Sequence, residues 1–106
     1  MKRSVMKLVR DNIPAICKEN GQTPEAKILD NIEYTSELRK KLKEEVNEYL
    51  LSTELEELAD IIEVIEALAE NQGSSLEAVL DIKQAKQTKN GAFKNQVFLI
   101  SVDDLT

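Results

Sequence analysis

The chain has 106 residues with a formal net charge of -6, and it contains no histidine. This length fits one domain over residues 1–106, and the absence of histidine excludes serine–histidine and cysteine–histidine catalysis as well as histidine-ligated zinc. The acidic balance argues against a nucleic-acid polymer as partner, and the sequence has no apolar run long enough to span a membrane. The basic N-terminus lacks the apolar stretch of a secretory signal, and we therefore expect a cytoplasmic protein.

Helix-capping signals predict four helices along the chain. The signals for the last three are capping boxes that begin at Asp30, Thr53 and Ser74. The four predicted helices cover about residues 12–20, 30–51, 53–72 and 74–89. Gly73 follows the third helix in the position of a C-terminal glycine cap.

Three other segments have the composition of short strands. Residues 93–102 form the clearest of them, because they combine β-branched and aromatic side chains. Residues 4–9 and 26–29 are the candidate partners of that terminal strand. The sequence therefore predicts a mainly α fold, a helical bundle with a small terminal β element.

Four acidic residues lie on or beside the apolar faces of the second and third helices. Helical periodicity places Glu45 in the middle of the apolar face of the second helix and Glu48 at its border. On the third helix, Glu57 falls inside a wide apolar arc and Asp60 at its edge. Acids of a surface helix normally lie opposite the apolar stripe. Folding the two helices back on each other would bring the two pairs to matching depth.

This placement predicts four carboxylates in one partly buried space without a nearby lysine or arginine. Buried carboxylates that lack a partner are unfavourable, and their mutual repulsion adds to that cost. Either they are protonated, or a cation binds between them. An all-oxygen site suits Mg²⁺, or alternatively Mn²⁺. The competing interpretation is an acid-rich helix surface that faces solvent and binds no metal.

The acidic segments also carry a resemblance to a known family. Residues 44–48 (EEVNE) and 57–60 (ELAD) resemble the EExxE and ExxD signature of the MazG-type all-α nucleoside triphosphate pyrophosphohydrolases. Residues 7–14 (KLVRDNIP) are similar to the opening of a small subgroup described as phosphoribosyl-ATP pyrophosphohydrolase-like. Residues 56–60 and 63–65 also resemble that subgroup, so the matches run from residue 7 to residue 65.

The resemblance implies a MazG-like helical bundle that holds Mg²⁺ on the acids at Glu45, Glu48, Glu57 and Asp60. It also implies hydrolysis between the α- and β-phosphates of a nucleotide, which releases a nucleoside monophosphate and pyrophosphate. Phosphoribosyl-ATP is a candidate substrate as well. The central position of Glu45 makes it our candidate for the base that activates water.

One departure from the subgroup favours a different function. The subgroup commonly carries a basic residue and paired glycines before an aromatic residue near the C-terminus, whereas this chain has NGAF at residues 90–93. The alternative is therefore a catalytically silent helical module that binds a metal or nucleotide, or that serves oligomerisation.

A nucleotide substrate also requires cations to bind its phosphates. Arg10 is the strongest candidate because its planar fork suits a phosphate group, and ordinary solvated charge is the competing interpretation. The other candidates are Lys7 near the first helix and an i,i+3 series on the last helix, Lys83, Lys86 and Lys89. The wide apolar arc of the third helix further predicts a homodimer or a higher homo-oligomer.

Overall fold

The computed structural model describes residues 1–104, and its secondary structure is mainly helical. The four helices are α1 (Ile13–Glu19), α2 (Asn31–Ser52), α3 (Leu55–Asn71) and α4 (Leu76–Asn90). Each begins and ends within about two residues of its predicted bounds. The chain divides into a first compact unit, Met1–Leu76, and a second unit that begins at Glu77. The assignment of residues 1–106 to one domain stays a prediction.

Two of the predicted helix ends are confirmed in atomic detail. Asp30 precedes α2, and its Oδ1 accepts a hydrogen bond of 2.8 Å from the Glu33 backbone N–H. Gly73 follows α3 with φ +79°, and its N–H donates to the Glu70 carbonyl at 2.9 Å. That backbone angle is unfavourable for residues with a Cβ atom, so the glycine is well placed to end the helix.

The capping boxes predicted at Thr53 and Ser74 are wrong. Thr53 has φ +56°, and its N–H donates to the Tyr49 carbonyl at 2.7 Å. This left-handed conformation ends α2, whereas the residue at an N-terminal cap typically has an extended backbone. The Ser74 N–H donates to the Ala69 carbonyl at 2.9 Å. Both residues therefore lie at the end of the preceding helix, and the helices that follow begin only at Leu55 and Leu76.

The predicted β element is also wrong, because residues 1–104 contain no strand. Met6 interrupts residues 4–9 with φ +51°, and Gln96 interrupts residues 93–102 with φ +56°. A left-handed residue cannot continue an extended strand. Strand formation also requires a second backbone to satisfy the ladder of hydrogen bonds, and the composition of a segment does not supply that partner.

The core of the first unit lies in the hairpin that α2 and α3 form by packing against each other. Among residues 1–104, the buried apolar side chains are Leu38, Val64 and Ala69. A hydrogen bond of 3.0 Å from Thr35 Oγ1 to Asn71 Oδ1 also joins the two helices. The hairpin therefore has a small core, and it fixes the relative positions of side chains on the two helices.

Many large apolar side chains of the described residues remain exposed. In the first unit they include Leu50, Leu51 and Leu55 around the connection between α2 and α3. In the second unit, Phe93 and Phe98 are almost fully exposed. Contiguous exposed apolar surface commonly marks an interaction site.

None of the four helices, within residues 1–104, is both long and apolar enough for a membrane span.

Candidate metal centre

The α2–α3 hairpin brings together three of the four predicted metal ligands. Glu45 extends from α2, while Glu57 and Asp60 extend from the first two turns of α3. One carboxylate oxygen from each residue lies within 4.8 Å of the oxygens from the other two. Glu57 and Asp60 are one turn apart on α3, whereas Glu45 lies on α2, and the two-residue connection between the helices brings Glu45 to a similar depth. The metal itself stays a prediction.

Glu45 is the most unusual member of this acidic trio, which we define as Glu45, Glu57 and Asp60. Only 8% of its surface is exposed. Its Oε1 atom lies 3.6 Å from the Lys41 ammonium, whereas Oε2 is buried and has no hydrogen-bond partner. A buried polar atom without a partner is costly. A cation bound beside Oε2, or a proton on the carboxyl group, would remove that cost.

Glu48, the fourth predicted ligand, lies outside the trio on an exposed part of α2. Its negative charge nevertheless acts on both neighbouring glutamates. Burial is the main cause that raises the pKa of Glu45, and repulsion from Glu48 is the next. The pKa of Glu57 is raised for the same two reasons, with a further contribution from Asp60. The role of Glu48 as a ligand stays a prediction.

These shifts predict that Glu45 and Glu57 lower the stability of metal-free protein as the pH rises. A carboxyl group with a raised pKa in the folded state stabilises that state when protonated. Its contribution is lost as the pH rises from the ordinary glutamate pKa of about 4.3 through the folded-state value. In a chelator, the double variant Glu45→Gln/Glu57→Gln should therefore differ little from wild type near pH 4. Its advantage in the free energy of unfolding should then grow toward pH 8.

The difference between the two proteins is the useful measurement, because other groups titrate with the opposite sign. The pKa of Asp30 is lowered by its backbone hydrogen bond from Glu33, and that of Glu44 by Lys7. Their contributions are lost as the pH falls, and they occur in both proteins. Urea unfolding at several pH values gives the difference directly. An advantage that stays constant from pH 4 to pH 8 would contradict the prediction.

The expectation that no lysine or arginine lies near these acids is wrong. Lys41 lies one helical turn before Glu45 and on the same face of α2, which explains their 3.6 Å separation. The sequence spacing could have predicted this contact. Arg10 Nη2 donates to Asp60 Oδ1 at 2.8 Å. These two residues are 50 positions apart, and no local pattern in the sequence indicates their contact.

The segment before α1 places both of its predicted phosphate-binding residues beside the acids. Arg10 contacts Asp60, as described, and the Lys7 ammonium donates to Glu44 Oε1 at 2.8 Å. The Lys7–Glu44 contact lowers the pKa of the carboxyl group and raises that of the ammonium group. Lys7 and Arg10 therefore already have anionic partners, and their binding of a phosphate stays a prediction.

The lysine series on α4 belongs to the second unit. Lys83, Lys86 and Lys89 are all exposed. All three lie within α4, as predicted for a series with i,i+3 spacing on the last helix. Exposed lysines on a helix are also typical of an ordinary solvated surface. Their role in phosphate binding remains a prediction.

The donor set of the acidic trio fits a hard divalent cation. It consists of carboxylate oxygens alone, which suit Mg²⁺, Ca²⁺ or Mn²⁺ better than metals that prefer nitrogen or sulfur ligands. Comparison of the chain with protein-family models, with curated proteins and with solved structures returned no match. The likeness to the MazG-type enzymes therefore rests on the sequence motifs.

Proposed function

We propose that this protein is a Mg²⁺-dependent nucleoside triphosphate pyrophosphohydrolase that releases a nucleoside monophosphate and pyrophosphate. The observation that carries the proposal is the buried, unpartnered Oε2 of Glu45 within a trio of converging carboxylates. This arrangement favours a cation, and the resemblance to the MazG-type enzymes supplies the reaction. Phosphoribosyl-ATP is included as a candidate substrate.

In this proposal the acidic trio holds the ion, with Glu48 available from the exposed side of α2. Mg²⁺ or Mn²⁺ bound there would neutralise charge on phosphoryl oxygens and activate water. Glu45 is the candidate base for that water. Phosphoryl chemistry depends mainly on positioning and charge, so the absence of histidine is compatible with this reaction. The candidate phosphate-binding residues of the first unit are Arg10 and Lys7. In the second unit, the phosphate-binding role of Lys83, Lys86 and Lys89 stays a separate prediction.

A pyrophosphate-release assay tests the proposal directly. Common and modified nucleoside triphosphates and phosphoribosyl-ATP are each supplied with Mg²⁺, Mn²⁺ or a chelator. We expect release in the metal arms and none with the chelator. Glu57→Gln should lower turnover by at least about 100-fold, because it removes a charged ligand and weakens the bound ion.

Glu56→Gln is the matched control, because Glu56 is the exposed neighbour of Glu57 on α3. It removes the same charge without removing a member of the trio, so turnover should stay within about twofold of wild type. Equal losses in both variants would contradict the assigned ligand role. Absence of turnover together with stabilisation by Mg²⁺ would instead support the catalytically silent metal-binding or nucleotide-binding module.

We also propose that the protein assembles as a homodimer or a higher homo-oligomer. The exposed Leu50, Leu51 and Leu55 of the first unit support this proposal, because a second copy would remove them from water. Sedimentation velocity over a range of protein concentrations tests it, and a monomer at every concentration would contradict it. The cytoplasmic location also remains a prediction.

A further inference from the structure

Arg10 forms the most direct contact between a cation and the acidic trio. Its Nη2 donates to Asp60 Oδ1 at 2.8 Å, and its Nη1 lies 3.7 Å from Glu63 Oε1. Arg10 lies in the irregular segment before α1, whereas both acids lie on α3. A long side chain from an irregular segment thus supplies positive charge to a carboxylate of the candidate metal centre.

The same Asp60 carboxylate is required by the proposed metal centre. A divalent cation and a guanidinium group that share one carboxylate repel each other, because both are positively charged. The Arg10–Asp60 pair is also partly exposed, and ion pairs of this kind are weak. The more highly charged ion is therefore able to displace the guanidinium group from Asp60.

We propose that Arg10 is an internal counter-cation of the acidic trio that exchanges between Asp60 and a ligand phosphate. Without metal, Arg10 neutralises Asp60. When a divalent cation binds, Arg10 leaves Asp60 and becomes available to an anionic phosphate beside the ion. Glu63 keeps the displaced side chain near the site through its longer contact. This inference depends on the proposed metal centre and assigns Arg10 the coupling between metal and phosphate.

The exchange gives Arg10 opposite effects on the two ligands. Its removal should tighten the binding of metal alone, because a competitor for Asp60 is lost. The same change should weaken the binding of a phosphate ligand to metal-loaded protein, because a charge-assisted hydrogen-bond donor is lost. A residue that only stabilised the fold would not produce this reversal of sign.

The first experiment measures Mn²⁺ affinity by electron paramagnetic resonance for wild type, Arg10→Gln and Arg39→Gln. Arg39 is an exposed arginine of α2 and controls for the loss of one positive charge. We expect Arg10→Gln to bind Mn²⁺ about fivefold more tightly than wild type, as suits the loss of one weak ion pair. Arg39→Gln should stay close to wild type.

The second experiment measures the affinity of inorganic pyrophosphate by calorimetry in saturating Mg²⁺. Here Arg10→Gln should bind about tenfold more weakly than wild type. Arg10→Lys keeps the positive charge but lacks the planar fork of donors, so its affinity for pyrophosphate should lie between those of wild type and Arg10→Gln. Circular dichroism shows whether each variant is folded. If Arg10→Gln is unfolded, Arg10→Lys takes its place in both binding experiments.

The outcomes separate this inference from the function on which it depends. Mn²⁺ binding that is equal or weaker in Arg10→Gln would overturn the exchange and leave the metal centre standing. Equal tightening in Arg39→Gln would also overturn it, because the effect would then be one of net charge. Unchanged pyrophosphate affinity would overturn the role of Arg10 toward phosphate. Absence of Mn²⁺ binding in every protein would overturn the metal centre, and the exchange with it.

Discussion

Glu45→Gln is expected to lower metal-dependent turnover steeply while it stabilises the metal-free protein. Turnover should fall by at least about 100-fold, because the variant lacks a residue proposed as both a metal ligand and the base. The free energy of unfolding at pH 8 in a chelator should rise by about 1 kcal/mol, because a buried, poorly paired charge is removed. We expect Mg²⁺ to stabilise wild type, and this stabilisation should be absent from the variant.

Pyrophosphate release and urea unfolding, with and without Mg²⁺, measure these three effects. Glu70→Gln serves as a control, since Glu70 lies exposed on α3 and the substitution removes the same charge. It should leave turnover and the stabilisation by Mg²⁺ close to their wild-type values. If Glu45→Gln keeps the full stabilisation by Mg²⁺, the ion binds elsewhere and the proposed centre is wrong.

Leu38→Ala should cause the largest loss of stability that we expect from a single substitution. Leu38 is only 3% exposed, and few other apolar side chains of the described residues are buried as deeply. Truncation of a buried leucine to alanine typically costs about 3 kcal/mol through lost burial and a residual cavity. The variant should also bind Mg²⁺ more weakly, because the hairpin that holds the acidic trio would be populated less.

Urea unfolding measured by circular dichroism gives this difference, and a variant already unfolded in water also meets the expectation. Ile28→Ala provides the comparison, because Ile28 is 99% exposed in the segment before α2. Its effect should stay within about 0.5 kcal/mol. Similar losses of stability in the two variants would contradict the prediction that Leu38 stabilises the protein through the α2–α3 packing.

The helices and the register of the acids were predictable from sequence for physical reasons that are local. Asp30 caps α2 and Gly73 ends α3 as predicted, because both effects depend on hydrogen bonds and backbone angles within one turn. The burial of Glu45 followed from helical periodicity, since an acid in the middle of an apolar face must enter the helix packing.

The failed predictions concern features that need a second segment of chain or a choice between two local conformations. Thr53 is a common N-cap residue, but in the structure it has φ +56°, the left-handed conformation that ends α2. The strand-like composition of residues 93–102 indicates apolar surface that requires a partner. In residues 1–104, no second segment pairs with it to form a strand.

The sequence alone therefore determined four helices and the placement of acids on apolar faces, because helix caps and periodicity act over a few residues. Only the tertiary structure decided which acids converge, since the α2–α3 hairpin brings Glu45, Glu57 and Asp60 together and leaves Glu48 exposed. It also decided that Arg10 contacts Asp60. Such a contact between distant residues depends on the path of the whole chain, which no local spacing encodes.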